Sequence, residues 1–140
     1  MSETLSKIEI FIGKHHVMTL ATSRDNQPQS CNLFYAYIPE EVCFIVASDR
    51  KTEHIQNIIG NSDVAGTIVL ETKTVGKIEG LQFKAKMMMA EDDEVESVYF
   101  AAFPYARVLN PTLWKIIPSS MKLTDNRLGF GKKLNWTRAV

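Results

Sequence analysis

The 140-residue chain has little of several things, and each shortage excludes a class of protein. It holds only two cysteines, Cys31 and Cys43, too few for a disulfide-stapled scaffold. If Pro39-Glu40-Glu41 turns a hairpin, Cys43 faces the region of Tyr37 and Cys31 lies about six residues further along that strand. At roughly 3.3 Å per residue the offset is about 20 Å, beyond the reach of a disulfide. Both are expected as reduced strand residues in or near the core. No stretch approaches the roughly 18 apolar residues of a membrane-spanning helix. The opening Met1-Ser2-Glu3-Thr4 lacks the basic start and apolar core of a secretory signal, so the chain reads as cytosolic. Net charge is also missing. Sixteen basic residues balance sixteen acidic ones, and no global field draws the chain to nucleic acid or anionic lipid. There is no internal repeat and no low-complexity segment.

What is present is an ordinary globular composition, 45% hydrophobic and 23% charged, and a length that suits one compact domain. Residues 2–14 read as a helix, with Leu5, Ile8, Phe11 and Ile12 at helical spacing and Ser2-Glu3 as its start. Residues 17–23 form a first strand, 24–28 a turn cluster, and 29–38 a second strand. Residues 42–47 are a continuous apolar run, read as a buried third strand. Ser48 or Asp49 is expected to cap a helix whose inner face is Ile55, Ile58 and Ile59, closed by Gly60-Asn61. Strands follow at 64–70 and 81–89. In the latter, Leu81, Phe83, Ala85, Met87 and Met89 share one face, and Gln82, Lys84 and Lys86 the other.

The acidic run Glu91-Asp92-Asp93-Glu94 starts a further helix, with Val95, Val98, Tyr99 and Ala102 as its stripe. Two short strands are expected at 113–117 and 121–124, and a last strand or ordered tail at 128–136. About six strands with hairpin links and few helices argue against a parallel, doubly wound sheet. They point to a mainly β (α+β) fold: a closed or nearly closed antiparallel barrel with helices packed outside it or over an end, an N-terminal helix at 1–14 and the barrel at 17–136.

Where the third strand hands over to the next helix, Ser48-Asp49-Arg50-Lys51-Thr52 gathers hydroxyls, a basic pair and helix-start amides. Such a corner suits a phosphate. The plainer reading is a solvated basic pair, but cations at the positive end of a helix are a poor choice unless an anion joins them. Other constellations carry less. His15, His16 and His54 lack companions at zinc spacing. Met87-Met88-Met89 reads as core filler. Gly129-Phe130-Gly131-Lys132-Lys133 lacks the spacing of a nucleotide-binding P-loop. The group Arg127, Lys132, Lys133, Trp136 and Arg138 has no aromatic-basic sheet face to make it a nucleic-acid site.

The segments "LAT" followed by a polar turn and Pro, "F-x-x-A-S-x-x-K" and "V-A-G-T" come in the order of a known family, and "GLQFKAKM" and "LTDNRLGFGKKLNW" extend the match. The chain resembles the FMN-binding split-barrel superfamily of pyridoxamine phosphate oxidase-like proteins, in an uncharacterised bacterial branch, over residues 17–136. The resemblance implies that the barrel is an antiparallel split β-barrel with flanking helices, and that it forms a homodimer with FMN in a groove between subunits. It implies that Ser48, Arg50, Lys51 and Thr52 hold the phosphate and that positions near Asn32, Phe34 and Tyr35 line the flavin ring. Gln82 would approach the ring, and Lys132, Lys133 and Trp136 would complete the site from the C-terminal region. On a strand, Asn32 and Phe34 share one face and Tyr35 takes the other.

The resemblance has limits. The chain ends Trp136-Thr137-Arg138-Ala139-Val140 without the arginine-rich signature of pyridoxamine phosphate oxidase, and Val46-Ala47 stands where that enzyme has Tyr-Thr. Pyridoxamine oxidation is therefore not expected. The reading is a flavin-dependent oxidoreductase acting on a small molecule whose identity the residues do not specify. The alternatives are a non-catalytic flavin-binding module for sensing, storage or association, or a split barrel that takes heme or deazaflavin.

Overall fold

The computed structural model describes residues 3–140, so Ser2 at the expected helix start lies outside the described residues. The strands are β1 (Val17–Arg24), β2 (Gln27–Ile38), β3 (Cys43–Ala47), β4 (Asp63–Val69), β5 (Glu79–Met89), β6 (Leu113–Asp125) and β7 (Lys133–Thr137). The α-helices are α1 (Glu3–Gly13), α2 (Glu53–Gly60) and α3 (Asp93–Ala102). All strand pairings are antiparallel, in the order β3-β2-β1-β4-β5-β6-β7. A further pairing of β3 with β6 closes the first six into a barrel. The fold is the expected antiparallel split barrel with flanking helices, with seven strands among the described residues rather than six.

The split lies along one edge of β6. Its first half, from Leu113 to Ile116, pairs with β3. Its second half, from Ser120 to Thr124, pairs with β7. α1 lies beside this opening and drives Leu5, Ile8, Phe11 and Ile12 into the barrel interior, among Met18, Leu20, Phe44, Leu81, Phe83 and Leu123. The hydroxyl of Tyr35 donates to the Ile12 carbonyl at 2.7 Å and that of Tyr37 to Glu9 at 2.5 Å, so two tyrosines of β2 hold the plug in place. α3 covers the outside of β2 and β3, where Ala36, Ile38, Cys43, Ile45 and Leu113 form a second core with Val95, Tyr99 and Phe100. That is why β3 is apolar on both faces.

Several local expectations need correcting. α2 is capped by Thr52, whose Oγ1 accepts from the Ile55 amide, not by Ser48 or Asp49. Its inner face is His54, Ile55, Asn57 and Ile58, whereas Ile59 is 69% exposed. The helix is rolled because the Asn57 amide donates to Thr22 Oγ1 at 3.1 Å inside the barrel end. The two short strands expected near the C-terminus are one 13-residue strand, β6. Pro118 is tolerated in it because β6 bulges there: Lys84 and Ala85 of β5 face Ser120 and Pro118, which leaves Ser119 as the extra residue, unpaired with β5.

Met89, expected inside, is exposed at the end of β5. On α3, Phe100 joins Val95 and Tyr99 in the core, Val98 is half-buried, and Ala102 faces outward. Cys43 sits opposite Ile38, one position from the expected Tyr37, and both cysteines are free. The turn after β1 is a two-residue one, with Asp25 and Asn26 at φ 52° and 61°, the left-handed pair that a tight hairpin demands.

Candidate functional site

The chain leaves β3 into a loop that β6 pins from two sides. The Ser48 amide donates to the Thr112 carbonyl at 3.0 Å, and the Trp114 indole N–H donates to the Ser48 carbonyl at 2.9 Å. Asp49 then builds a turn. Its carboxylate accepts from the Lys51 amide at 2.8 Å and its carbonyl from Thr52 Oγ1, also at 2.8 Å. The turn delivers Thr52 to the cap position of α2, where the first helical amides have no intrahelical acceptor. Arg50 and Lys51 therefore stand just ahead of the positive end of the helix.

Arg50 is lightly held. Its guanidinium donates to Met89 Sδ at 3.3 Å and approaches Glu91 at 3.9 Å, both charged side chains being largely exposed. Such an ion pair is worth little. Lys51 is exposed and makes no ion pair with a described residue. Arg50, Ile58, Met87, Met89 and Trp114 surround a small recess of about 270 Å³ at this barrel end. His54 is the interior member of the corner. It is 8% exposed, its Nε2 is 2.6 Å from Ser48 Oγ and 3.2 Å from Thr52 Oγ1, and burial lowers its pKa below the ordinary 6.5. Sequence reasoning missed this part for His54, which was weighed as a metal ligand and otherwise left to an ordinary surface or core role. Its spacing from the Ser48 and Thr52 hydroxyls was the available signal.

A second feature is an open groove of about 470 Å³ across the outer faces of β1, β4, β5, β6 and β7. Strand alternation sets Thr19, Ala65, Thr67, Gln82, Lys122 and Asn135 along it. The side chains near its middle are short, so the wall is nearly flat. Asn32 lies beside it and accepts a hydrogen bond from Thr19 Oγ1 at 2.8 Å. Phe34 is on the same outer face, 59% exposed, with its ring 5.4 Å from that of Phe103. Tyr35 points the other way into the core, where burial raises its pKa, and it has no surface to give a flavin ring. Trp136 borders the groove while its ring packs toward the core and under the Arg138 guanidinium. Lys132 and Lys133 are exposed at the turn into β7, where Lys133 Nζ lies 3.3 Å from the Gly131 carbonyl.

One subunit does not gather all these residues. Gln82 and Met89 are seven positions apart on β5, about 23 Å of strand. Lys133 sits opposite Thr124, ten positions along β6 from Trp114, or about 33 Å. The Ser48–Thr52 corner, the Gln82 groove and the Lys132–Lys133 turn are thus three separate places on the surface. Among the described residues no group of His, Cys, Asp and Glu is arranged to hold a metal ion, and no helix is long and apolar enough to cross a membrane.

Barrel, plug helix and phosphate-suited corner together define a split-barrel protein, and solved structures agree on the fold. A heme binding protein from Mycobacterium smegmatis matches with a TM-score of 0.79 at 14% identity, over 98% of this chain and 59% of that one. An FAD-binding protein from Mesorhizobium loti matches with a TM-score of 0.71 at 13% identity, over 88% and 92%. HutZ, the heme storage protein from Vibrio cholerae, matches with a TM-score of 0.67 at 18% identity, over 84% and 91%. The chain belongs to the UPF0306 protein family. It is 42% identical over 139 residues to a UPF0306 protein of Klebsiella pneumoniae, covering 97% of this chain and 95% of the relative. It is 41% identical over 140 residues to one of Enterobacter sp., covering 98% and 99%. No family model matches the chain.

Proposed function

We propose that this chain is a cytosolic homodimer of the pyridoxamine phosphate oxidase-like superfamily that binds FMN between its subunits and acts as a flavin-dependent oxidoreductase. The observation that carries the reading is the Ser48–Thr52 corner: five consecutive residues bring a guanidinium, an ammonium, two hydroxyls and the start of α2, and among the described residues the guanidinium is engaged only by a thioether and a distant carboxylate. A dianionic phosphate satisfies that set. Arg50 grips it through a planar fork, Lys51 adds a compact charge, and Ser48 supplies a hydroxyl.

The residues also fit the remainder of the cofactor. The flat outer face and the exposed Phe34 ring suit a planar tricycle, and Gln82 and Asn32 suit its polar edge. The phosphate corner and the Gln82 groove are too far apart on one subunit to share a cofactor, and the groove is open on one side. A second copy laid across that face covers the groove and brings its own Gln82, Lys132, Lys133 and Trp136 toward the first copy's corner. Bound flavin supplies the redox chemistry, and the chain positions it and sets the field around it. Purified full-length protein is expected to be yellow, to release FMN on denaturation and to scatter light as a dimer. Replacing Arg50 and Lys51 together by Ala should weaken FMN binding at least about tenfold, as loss of charge-assisted contacts does. Unchanged affinity removes the phosphate assignment.

Heme is the second reading, favoured by two proteins of like fold, the heme binding protein from Mycobacterium smegmatis and the heme storage protein HutZ. A Soret band in the protein as isolated, with no flavin spectrum, selects it.

A further inference from the structure

The hydrogen-bond pattern at the start of α2 favours one placement of its protons. Thr52 Oγ1 lies 2.8 Å from the carbonyl oxygen of Asp49, which can only accept, so the threonine proton is committed there. Thr52 Oγ1 then meets its other neighbours as an acceptor: the Ile55 amide at 3.4 Å and His54 Nε2 at 3.2 Å. That contact is a hydrogen bond when Nε2 carries a proton, the tautomer adopted here. The same nitrogen is 2.6 Å from Ser48 Oγ, so its N–H is shared between the two hydroxyl oxygens, with the shorter arm on Ser48. Ser48 accepts, and its own proton remains to be placed. The nearest oxygen recorded for it is Thr52 Oγ1 at 3.5 Å, the outer limit of a hydrogen bond.

We infer that His54 is a positioning residue: through Nε2–H it turns the Ser48 hydroxyl into a committed donor toward an acceptor-only oxyanion held by Arg50 and Lys51. The inference rests on the phosphate reading above and goes beyond it. It gives a buried residue outside the basic pair a defined part and states the ligand chemistry more sharply. A hydroxyl whose lone pair is occupied by His54 donates well, so it favours a phosphate ester dianion over a ligand group that must itself donate. Nε2 carries its proton in the neutral ring and in the imidazolium alike, so the arrangement does not depend on the charge state of His54.

The test is FMN titration of the full-length protein and its variants, with thermal melting of each. His54→Gln places an amide N–H near the Nε2 position, and His54→Phe removes the donor. Loss of one hydrogen bond to a charged group weakens binding about tenfold or more, so His54→Phe and Ser48→Ala are each expected to do so. His54→Gln should stay within about threefold of the parent, and the Ser48→Ala/His54→Phe double variant within about threefold of Ser48→Ala alone, because coupled residues are not additive. If His54→Phe fails to fold, His54→Asn replaces it, since its amide stops near the Nδ1 position. Equal losses in the Gln and Phe variants, or a double variant whose losses multiply, overturn the inference. If Arg50→Ala/Lys51→Ala weakens FMN while the His54 series does not follow the pattern, only this inference falls. If the parent does not bind FMN, or if the Arg50 and Lys51 substitutions change nothing, the phosphate reading falls with it.

Discussion

The guanidinium of Arg138 donates to the carbonyl oxygen of Val42 at 2.6 Å, tying the end of β7 to the entrance of β3 across the split. The same group reaches the Glu41 carbonyl at 3.3 Å, and Nε donates to the Pro118 carbonyl of β6 at 2.8 Å. Val42 is a β-branched residue at φ 51°, a conformation that costs it about 1–2 kcal/mol. The turn it makes presents two successive carbonyls to one planar fork. Arg138, which the sequence placed only in a diffuse basic cluster, is the clasp of the split.

Arg138→Ala should therefore destabilise the fold by about 2–4 kcal/mol, the scale of several hydrogen bonds to a charged donor. Arg138→Lys should recover less than half of the loss, because an ammonium cannot fork across three carbonyls. Urea denaturation of the two variants checks this, and a loss under half a kilocalorie in the alanine variant would sink the clasp.

Gly66 on β4 faces the barrel interior, where a Cβ would stand 2.2 Å from the ring of Phe83 on β5. Gly66→Ala should cost about 2–3 kcal/mol by overpacking, and adding Phe83→Leu should return part of it. Thermal melting of the single and double variants decides the point, since simple additivity of the two losses would mean that they do not meet.

Glu91 approaches Arg50 at 3.9 Å and competes with any anion for it. Glu91→Gln is expected to tighten FMN binding about two- to fivefold, the range of an exposed ion pair. Fluorescence titration at low salt reads the effect. Weaker binding in the variant would show that Glu91 orients Arg50 rather than opposing the ligand.

Burial lowers the pKa of His54 below 6.5, and it lowers that of His15 as well, against an opposing pull from Glu79. The unfolded chain, with ordinary histidines, binds protons that the folded chain resists. Their contribution to stability is thus present above the unfolded pKa and is lost as pH falls below it toward the folded values. The urea midpoint should drop on acidification from about pH 7.5 to about pH 5.5. His54→Gln should reduce that drop, and an identical pH slope in parent and variant would assign the effect elsewhere.

How far these features could be read from the residues varies with their range. The boundaries of β1 to β5 fell within a residue or two of expectation because alternation and turn residues are local signals, as in Leu81, Phe83 and Ala85 pointing in and Gln82, Lys84 and Lys86 out, whereas the last strand, expected from 128, starts at Lys133 after a glycine-containing turn. The roll of α2 was not legible. Ile55, Ile58 and Ile59 make a plausible stripe, and only the distant Thr22 hydroxyl, bonded to Asn57, turns Ile59 outward. The unity of β6 was hidden by Pro118, which breaks a strand unless a bulge accommodates it, and the bulge falls on its neighbour Ser119, which faces no residue of β5. For the site, the composition of the Ser48–Thr52 corner was legible. The part of His54 was not, because it depends on hydrogen-bond directions that no residue pattern encodes. The separation of Gln82 from that corner is equally a matter of strand register.

Barrel closure has a consequence for how the chain is made. Phe44 of β3 pairs early with Tyr37 of β2, but its other edge is met by Ile116 of β6, 72 positions later in the sequence. During synthesis the apolar rim of β3 waits, unpaired and adhesive, until most of the polypeptide has left the ribosome. Nascent chains stalled before residue 113 should accordingly be the ones that holdase chaperones retain.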